Sequence, residues 1–309
     1  MNFLILLSPF LSCLILIFLF KLFAVKRGIL FDASHGDGLK THHGIISMVG
    51  GPAMFFSFLI GLVAFETQQM GFKVALIIVS SSAIFLLGIF DDINWKQSSK
   101  SKPILKFSFL ILITLFSAVV LFFANTSFGF FPLKIVAIIL SFIYVFAAIN
   151  AVNYQDGIDG LAGGLVLVSF IGFAIAGFSS GNNFALNTSL ICAGSVAAFL
   201  IFNFPPARIF MGDSGAYFLG FVLAFLAMTF SKPYNVGSVL GPILIIGMPL
   251  IDGIYTNIRR ILAKKSIFYG DRDHFYDKLL RKFSIKNTLG IAYGLQILLV
   301  VIGLIIYYV

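Results

Sequence analysis

The chain has 309 residues, of which 60% are hydrophobic and only 11% are charged, and its mean hydropathy is +1.05. This composition excludes an ordinary soluble domain and predicts an all-α polytopic membrane protein. The formal net charge of +9 is compatible with a nucleic-acid partner, but the basic residues follow the membrane segments instead. We therefore expect a membrane protein that binds no nucleic acid.

Apolar runs long enough to cross a bilayer, which takes about 20 residues, recur along the whole chain. They predict about ten transmembrane helices in a single integral-membrane domain that covers residues 1–309. The predicted spans are 3–25, 45–65, 74–90, 104–123, 133–151, 161–178, 186–204, 216–230, 236–255 and 288–309.

The segments that connect these spans alternate in charge. Of the 21 Lys and Arg residues, 17 lie in one alternate set of segments, and the opposite set contains only Lys73, Lys134 and Lys232. The positive-inside rule makes the basic side cytoplasmic and places both termini outside. Of the 12 Asp and Glu residues, all except Glu66 lie on that same side, or at its membrane edge. Topology does not require this concentration of acids, so it suggests a functional site at the cytoplasmic face.

The first acidic cluster, Asp91 and Asp92, ends the predicted third span. Adjacent carboxylates repel each other, and they are unfavourable at the negative C-terminal end of a helix dipole. A bound cation would relieve both problems. The alternative is an interfacial loop with two solvated acids.

A polar stretch at residues 150–164 lies between two apolar runs. Asn150, Asn153, Asp156 and Asp159 recur every three residues, so neighbouring members of the series share a helix face. Acids within or beside a membrane are costly and are functional hypotheses by default. We expect a helix end whose polar groups line a wet cavity. The simpler interpretation is that these residues are only caps and turn formers.

A further acid, Asp213, lies in the stretch RIFMGDSGA at 208–216, just before the predicted eighth span. A helix N-terminus at this point favours an anion or a phosphate, although Asp213 could also be an ordinary N-cap. Asp252 lies late in the ninth span, and we expect it to support the residues that bind the metal directly. Oxygen donors without a Cys or His cluster favour Mg²⁺ or Mn²⁺ over zinc.

The cytoplasmic segments also contain basic residues that could hold phosphates, namely Lys40, Arg208 and those of the loop 264–286. Taken singly, each is explained more simply by topology and by contact with lipid headgroups. His42 and His43 are likewise typical of an interface when taken singly. Taken together, the acids and the basic residues predict a metal-dependent reaction on phosphates at the cytoplasmic membrane surface, with a lipid as substrate.

Four stretches resemble the polyprenyl-phosphate N-acetylhexosamine-1-phosphate transferases. They are HHGIISMVGG at 42–51, GIFDD at 88–92, NAVNYQDGIDGL at 150–161 and FMGDSG at 210–215. Their order and their spacing between spans also match, so the resemblance covers nearly the whole chain. It is closer to the GlcNAc-1-phosphate transferases that start O-antigen, common-antigen and teichoic acid linkage synthesis than to the phospho-MurNAc-pentapeptide translocase.

The chain departs from the family pattern at two points. Ser47 stands where many members have Pro, and the segment GDRDHFYDKLL at 270–280 matches a histidine-rich loop but contains the single histidine His274. The second departure argues against the translocase. It leaves the sugar open between GlcNAc and a deoxy-amino derivative.

The resemblance implies that a polyprenyl phosphate attacks a UDP-N-acetylhexosamine in a bacterial inner (plasma) membrane and gives a polyprenyl-diphospho-sugar and UMP. Mg²⁺, or Mn²⁺ as the alternative, would bridge the diphosphate. The metal ligands expected from the family are Asp91, Asp92 and Asp213. The expected catalytic residues are Asp91, Asp92, Asp156, Asp159 and His274. The expected substrate-binding residues are Lys40, His42, Asn150, Asn153, Arg208 and Arg272.

The family comparison also places the loop 264–286 over the sugar nucleotide. Arg272 would grip the diphosphate, His274 would donate to it, and Tyr276 would stack on the sugar or bond to it. A solvated amphipathic surface helix is the alternative for this loop. A membrane transporter is the main alternative for the whole chain, but it would normally show midplane charges and repeat symmetry. A homodimer is left open.

Overall fold

The computed structural model describes residues 2–33, 45–95, 103–130, 133–266 and 272–309. Within them the chain forms eleven α-helices and one small antiparallel sheet. The helices are α1 (Asn2–Arg27), α2 (Gly50–Phe90), α3 (Pro103–Phe123), α4 (Lys134–Gln155), α5 (Leu161–Ser180), α6 (Asn183–Asn203), α7 (Gly212–Thr229), α8 (Gly237–Ile246), α9 (Met248–Leu262), α10 (Phe275–Leu280) and α11 (Ile285–Tyr308). The strands are β1 (Phe31–Ala33) and β2 (Ile45–Ser47), with Phe31 opposite Ser47.

Eight helices in the described ranges are long and apolar enough to cross a membrane, and a ninth span results if α8 and α9 count as one broken segment. The protein is therefore a predominantly helical, multi-pass membrane protein of the all-α class, as its composition predicts. The predicted span 45–65 corresponds to a helical arm, Gly50–Glu66, that is shorter than the others. The count of ten spans and the orientation of the chain stay predictions.

The helical backbone of α2 continues from Gly50 to Phe90, but its two ends lie side by side. Gly51 and Gly88 both lie against Ser214, and the rings of Phe55 and Phe85 stack at 4.0 Å. A straight helix would separate these two rings by about 45 Å. We conclude that this segment is a helical hairpin with the arms Gly50–Glu66 and Gly71–Asn94, and its second arm continues past α2 into a π-helical turn at Asp91–Trp95.

The predicted span 236–255 corresponds to two helices, α8 and α9, between which the chain bends by 85°. Gly247 lies at the bend with φ +57° and ψ −109°, a conformation that residues with a side chain rarely adopt. Pro249 follows in the first turn of α9, where a missing N–H costs no helical hydrogen bond. Hydropathy did not reveal this break because the residues on both sides of Gly247 are apolar.

Helix α7 is the centre of the fold, and nearly all of its side chains are buried. Phe218, Phe221 and Phe225 are fully buried along it, and Gly220 lets the backbone of α4 approach closely. Because α7 begins at Gly212, Asp213 lies in its first turn rather than before it. This N-terminal end of α7 contacts α4 and the second arm of the α2 hairpin. The candidate site lies where these helices meet.

Candidate active site

Three charged side chains from three helices meet at one end of the bundle. Lys106, at the start of α3, contacts Asp91 at the end of the α2 hairpin, and its Nζ lies 2.6 Å from Oδ2 of Asp213 on α7. Both carboxylates are buried, and the hydroxyl of Tyr217 donates to Asp91 at 3.5 Å. One ammonium group thus holds together two buried carboxylates that would otherwise repel each other.

Lys106 is one of the 17 basic residues on the predicted cytoplasmic side, where a positive charge is explained by topology alone. Its sequence neighbours are Ile104, Leu105 and Phe107, so a positive charge lies inside an apolar run. A charge in such a position is a functional signal in a membrane protein. That signal could have identified Lys106 as a site residue.

Asp92 contacts the backbone at the start of α7. Its two oxygens accept the N–H groups of Asp213 at 2.8 Å and Ser214 at 3.0 Å. A carboxylate at this position satisfies N–H groups that have no helical partner and interacts favourably with the helix dipole. Gly212 has φ +67° and lies against the Asp92 carboxylate, which leaves no room for a Cβ there. Asp92 therefore fixes the position of Asp213.

The last turns of α4 bring two carboxamides to the acids. Asn153 donates through Nδ2 to Oδ1 of Asp213 at 3.0 Å. Asn150, one turn earlier, donates to the carbonyl of Phe146 at 2.8 Å and lines the same groove as Asn153. The structure thus brings together the carboxamides expected to bind substrate and one of the expected metal ligands.

The remaining acids of the polar stretch lie in the turn between α4 and α5. Asp156 is the C-cap residue of α4, and Oδ2 of Asp159 accepts the N–H of Ala207 at 2.9 Å. Asn203 reinforces this contact, because its side chain bonds to both the N–H of Gly160 and the carbonyl of Ile209. These bonds fasten the turn to the loop before α7, which gives Asp159 a structural contact.

His274 lies at the other side of the site and is held by Asp252 on α9. Its Nδ1 is 2.8 Å from Oδ2 of Asp252 and 3.2 Å from Oγ1 of Thr256. Because a carboxylate can only accept, the proton lies on Nδ1, which leaves Nε2 for a ligand. Asp252 also accepts from the side chain of Gln155 at 2.9 Å and from the N–H of Phe275 at 2.8 Å. Asp252 therefore joins α4, α9 and α10.

Helix α10 lies within the loop 264–286, which was expected to cover the sugar nucleotide. Asp277 accepts the N–H of His274 at 3.1 Å and lies 3.6 Å from Arg272, and burial raises the pKa of its carboxyl. Arg272 also donates to the carbonyl of Gly157 at 3.5 Å. Tyr276 is buried, its hydroxyl donates to the carbonyl of Tyr154 at 3.2 Å, and burial raises its pKa. The expectation that Tyr276 stacks on a sugar does not fit this position.

One other expected substrate-binding residue, Arg208, is not part of this cluster. The side chain of Arg208 is exposed in the loop before α7. Lys40 and His42 lie outside the described residues.

The cluster opens onto a groove of about 550 Å³. Its polar lining comes from Lys106, Asn150, Asn153, Asn257, Arg260 and His274. Its apolar lining comes from Phe107, Leu110, Phe146, Ala147, Leu250 and Ile254. Such a groove suits an amphipathic molecule that has an anionic head and an apolar tail.

Known proteins match the region that contains these groups. The family model described as glycosyl transferase family 4 matches residues 74–231, about half of the chain. The chain belongs to glycosyl transferase family 4. The matched region includes Asp91, Lys106, Asn153 and Asp213, so the polar cluster lies within the part that the family shares.

Individual relatives extend the family match to most of the chain. A probable undecaprenyl-phosphate N-acetylglucosaminyl 1-phosphate transferase of Bacillus subtilis is 31% identical over 91% of this chain and 77% of its own. An undecaprenyl-phosphate alpha-N-acetylglucosaminyl 1-phosphate transferase of Yersinia pestis is 28% identical over 96% of this chain and 82% of its own. A phospho-N-acetylmuramoyl-pentapeptide-transferase of Clostridium botulinum is 32% identical over 64% of each chain.

These matches confirm the expected family, and this glycosyl transferase family 4 protein is therefore a membrane transferase. The roles expected for individual residues stay predictions. The groove adds residues that sequence reasoning did not propose, chiefly Lys106, Asn257 and Arg260. Asn257 and Arg260 directly follow the predicted span 236–255, and Arg260 counted only as one of the basic residues that set the topology.

Proposed function

We propose that this family 4 transferase moves an N-acetylhexosamine-1-phosphate from its UDP derivative to polyprenyl phosphate. The products are a polyprenyl-diphospho-sugar and UMP. The observation that carries the proposal is the groove, where Lys106 and Arg260 supply positive charge beside an extended apolar lining. The relatives from Bacillus subtilis and Yersinia pestis carry the name of the corresponding transfer to undecaprenyl phosphate.

A magnesium ion fits the acids of this site, with manganese as the alternative. Asp91 and Asp213 both contact the ammonium group of Lys106, so two carboxylates converge on one positive charge. Mg²⁺ is commonly held by one or two carboxylates, and phosphate and water oxygens complete its six positions. Among the described residues no group of three Asp, Glu, His or Cys side chains is arranged to hold a metal. When bound, the metal would neutralise charge that develops on the diphosphate.

The residues of the chain act mainly by positioning the two phosphates. An oxygen of the lipid phosphate attacks the phosphorus atom that carries the sugar, and UMP leaves. Because the second pKa of a phosphate monoester is near 6, the attacking oxygen is ionised at pH 7 and needs no general base. Asp91 and Asp213 hold Lys106 in the groove, where its ammonium group attracts phosphate oxygens. Asn153, held by Asp213, adds an amide to the same wall.

The opposite wall of the groove suits the sugar nucleotide. His274 offers Nε2, because its Nδ1 is engaged by Asp252. Arg260 is buried, lines the groove and lies over the ring of Tyr154 at 5.6 Å. The guanidinium group is suited to diphosphate oxygens, and Nε2 of His274 can accept a hydrogen bond from a hydroxyl or N–H group of the sugar nucleotide. We assign this wall to the UDP-sugar and the apolar lining to the first isoprene units of the lipid.

Purified protein in detergent provides the test. Labelled UDP-GlcNAc, UDP-linked deoxy-amino sugars and UDP-MurNAc-pentapeptide are each supplied with undecaprenyl phosphate and Mg²⁺, and the lipid extract is analysed. We expect transfer from a UDP-N-acetylhexosamine, with UMP released in equal amount. Transfer from UDP-MurNAc-pentapeptide alone would contradict the proposed substrate, and no transfer from any donor would contradict the reaction.

The sugar accepted in this panel also bears on the pathway. We propose that the reaction is the first membrane step of a cell-envelope glycan such as an O-antigen. It would take place at the cytoplasmic face of a bacterial plasma membrane, where polyprenyl phosphate and UDP-sugars meet.

A further inference from the structure

The break between α8 and α9 leaves backbone groups without helical partners. The N–H of Met248 begins α9, and the carbonyl of Ile245 belongs to the last turn of α8. A helix end leaves such groups unpaired, and in the interior of a membrane protein other protein groups must satisfy them. Gln296, on α11, supplies a partner for both.

The side chain of Gln296 is fully buried and makes three hydrogen bonds. Its Oε1 accepts from the N–H of Met248 at 2.8 Å, and its Nε2 donates to the carbonyl of Ile245 at 2.8 Å and to Oγ of Ser169 at 3.0 Å. Ser169 gives its own proton to the carbonyl of Leu165 at 3.1 Å, so it accepts from Gln296. These partners fix the orientation of the amide, because the reversed amide would face its NH₂ to an N–H group.

We call the bend at Gly247 the elbow. Helix α8, on one side of the elbow, is anchored, and helix α9, on the other side, carries site residues. Helix α8 is held against α11 by the close approach of Gly241 and Gly303. Beyond the bend, α9 carries Asp252, which holds His274, and the groove residue Arg260. The opposite wall, with Lys106, belongs to other helices. The direction in which α9 leaves Gly247 therefore sets the width of the groove.

We propose that Gln296 is a positioning residue for the transfer reaction. It fixes the elbow between α8 and α9 and so holds the wall that contains His274 at its working distance from Lys106 and Asp213. Gln296 is not among the residues that line the groove, so it acts through α9. The kinetic part of this inference rests on the proposed function, whereas its structural part does not.

Gln296→Met removes the three hydrogen bonds and keeps a side chain of similar length. We expect kcat/KM for the UDP-sugar to fall roughly 10- to 100-fold, because small misplacements of a site wall have effects of that size. Gln296→Glu, whose acid form keeps one acceptor and one donor, should recover part of the loss. In a His274→Ala background Gln296→Met should add little, because both changes act on one wall.

The matched control is Thr288→Val, which changes another buried residue of α11. The hydroxyl of Thr288 has no hydrogen-bond partner among the described residues, so this variant should behave like the wild type. If Gln296 had a purely structural role, the fold-losses in kcat/KM from Gln296→Met and His274→Ala would instead multiply in the double variant. Such a role would also leave Gln296→Glu no better than Gln296→Met.

A distance measurement tests whether Gln296 fixes the direction of α9, and it does not depend on an activity assay. Spin labels at the exposed positions Ile201→Cys on α6 and Leu262→Cys on α9 report the direction of α9, since both native cysteines are buried. We expect a broader or shifted distance distribution in Gln296→Met and an unchanged one in Thr288→Val. If Gln296→Met does not fold, Ser169→Ala removes one of the three bonds and should give a smaller change in the same direction.

The outcomes separate this inference from the proposed function. An unchanged distance distribution together with multiplicative kinetics would overturn the role of Gln296, even if the protein transfers sugar phosphate. Absence of transfer by the wild type would overturn the proposed function, and the distances would still decide whether Gln296 sets the elbow.

Discussion

Asp91, Lys106 and Asp213 form one electrostatic unit in which two carboxylates share a single ammonium group. The unit carries a net negative charge when all three groups are ionised; its two carboxylates are buried, and Lys106 lines the groove. Removing Lys106 leaves two carboxylates without their counter-charge, and removing either carboxylate takes away half of the proposed metal site. Each of these residues should therefore affect turnover strongly, although they contribute through different contacts.

The first prediction concerns Asp213. Asp213→Asn removes a charge but keeps the shape, so the protein should fold while turnover drops. The loss of a principal charge-stabilising group is worth roughly 10²–10³ in rate. Initial rates of sugar-phosphate transfer across a Mg²⁺ titration measure this. Near wild-type rates in Asp213→Asn at every Mg²⁺ concentration would exclude its proposed role.

The second prediction separates the two adjacent acids by stability. Asp92→Asn cannot accept both N–H groups at the start of α7 and loses the favourable charge there, so the cost should be about 1–2 kcal/mol. Asp91→Asn removes one of two neighbouring carboxylates and should change thermal stability less while lowering turnover severely. Thermal unfolding in detergent, measured together with transfer rates, distinguishes the two variants. An unchanged Tm with lost activity in Asp92→Asn would instead indicate a direct role in the reaction.

At the scale of elements, α9 and α10 meet at Asp252. This fully enclosed carboxylate accepts from His274, Phe275 and Gln155 at once. An Asn at this position has one acceptor oxygen and would turn its NH₂ towards a donor. The sequence led us to expect only a supporting role for Asp252, behind the direct metal ligands. These three bonds lead us to expect that Asp252→Asn has an effect as large as that of His274→Ala.

The third prediction follows from this junction. His274→Ala, Asp252→Asn and Arg272→Ala should each raise KM for the UDP-sugar or lower kcat, while KM for the lipid changes little. Lys282→Ala is the control, because Lys282 is an exposed basic residue of the same segment and exposed charges contribute little. Steady-state kinetics with each substrate varied in turn measure the difference. A loss confined to affinity for the lipid phosphate would mean that this wall serves the other substrate.

The sequence predicted these elements to different degrees. Apolar runs located the spans because burial and lipid contact both select long hydrophobic stretches. The break at Gly247 was missed because hydropathy carries no information on backbone dihedral angles. The cap formed by Asp92 was missed because it depends on which helix start lies beside the α2 hairpin, a contact between residues about 120 positions apart. Lys106 was missed because its partners likewise come from distant parts of the chain.

At the scale of the whole molecule, polar groups collect at two ends of the bundle. The cluster around Lys106 and His274 occupies one end. Glu66 lies at the other, near the turn of the α2 hairpin, where it accepts from Asn187 at 2.7 Å. This separation agrees with the loop charges, which assign Glu66 to the outside and the other acids to the cytoplasm.

The fourth prediction tests that orientation. Lys134→Cys and Lys232→Cys should react with a membrane-impermeant thiol reagent in intact cells, because both positions are exposed and lie on the poorly basic side. Arg208→Cys and Lys265→Cys, also exposed, should react only after the membrane is opened. Cys13 and Cys192 need no replacement, because both are fully buried. Rapid labelling of position 265 in intact cells would reverse the topology, and the groove would then face away from the cytoplasmic pool of UDP-sugars that the proposed reaction requires.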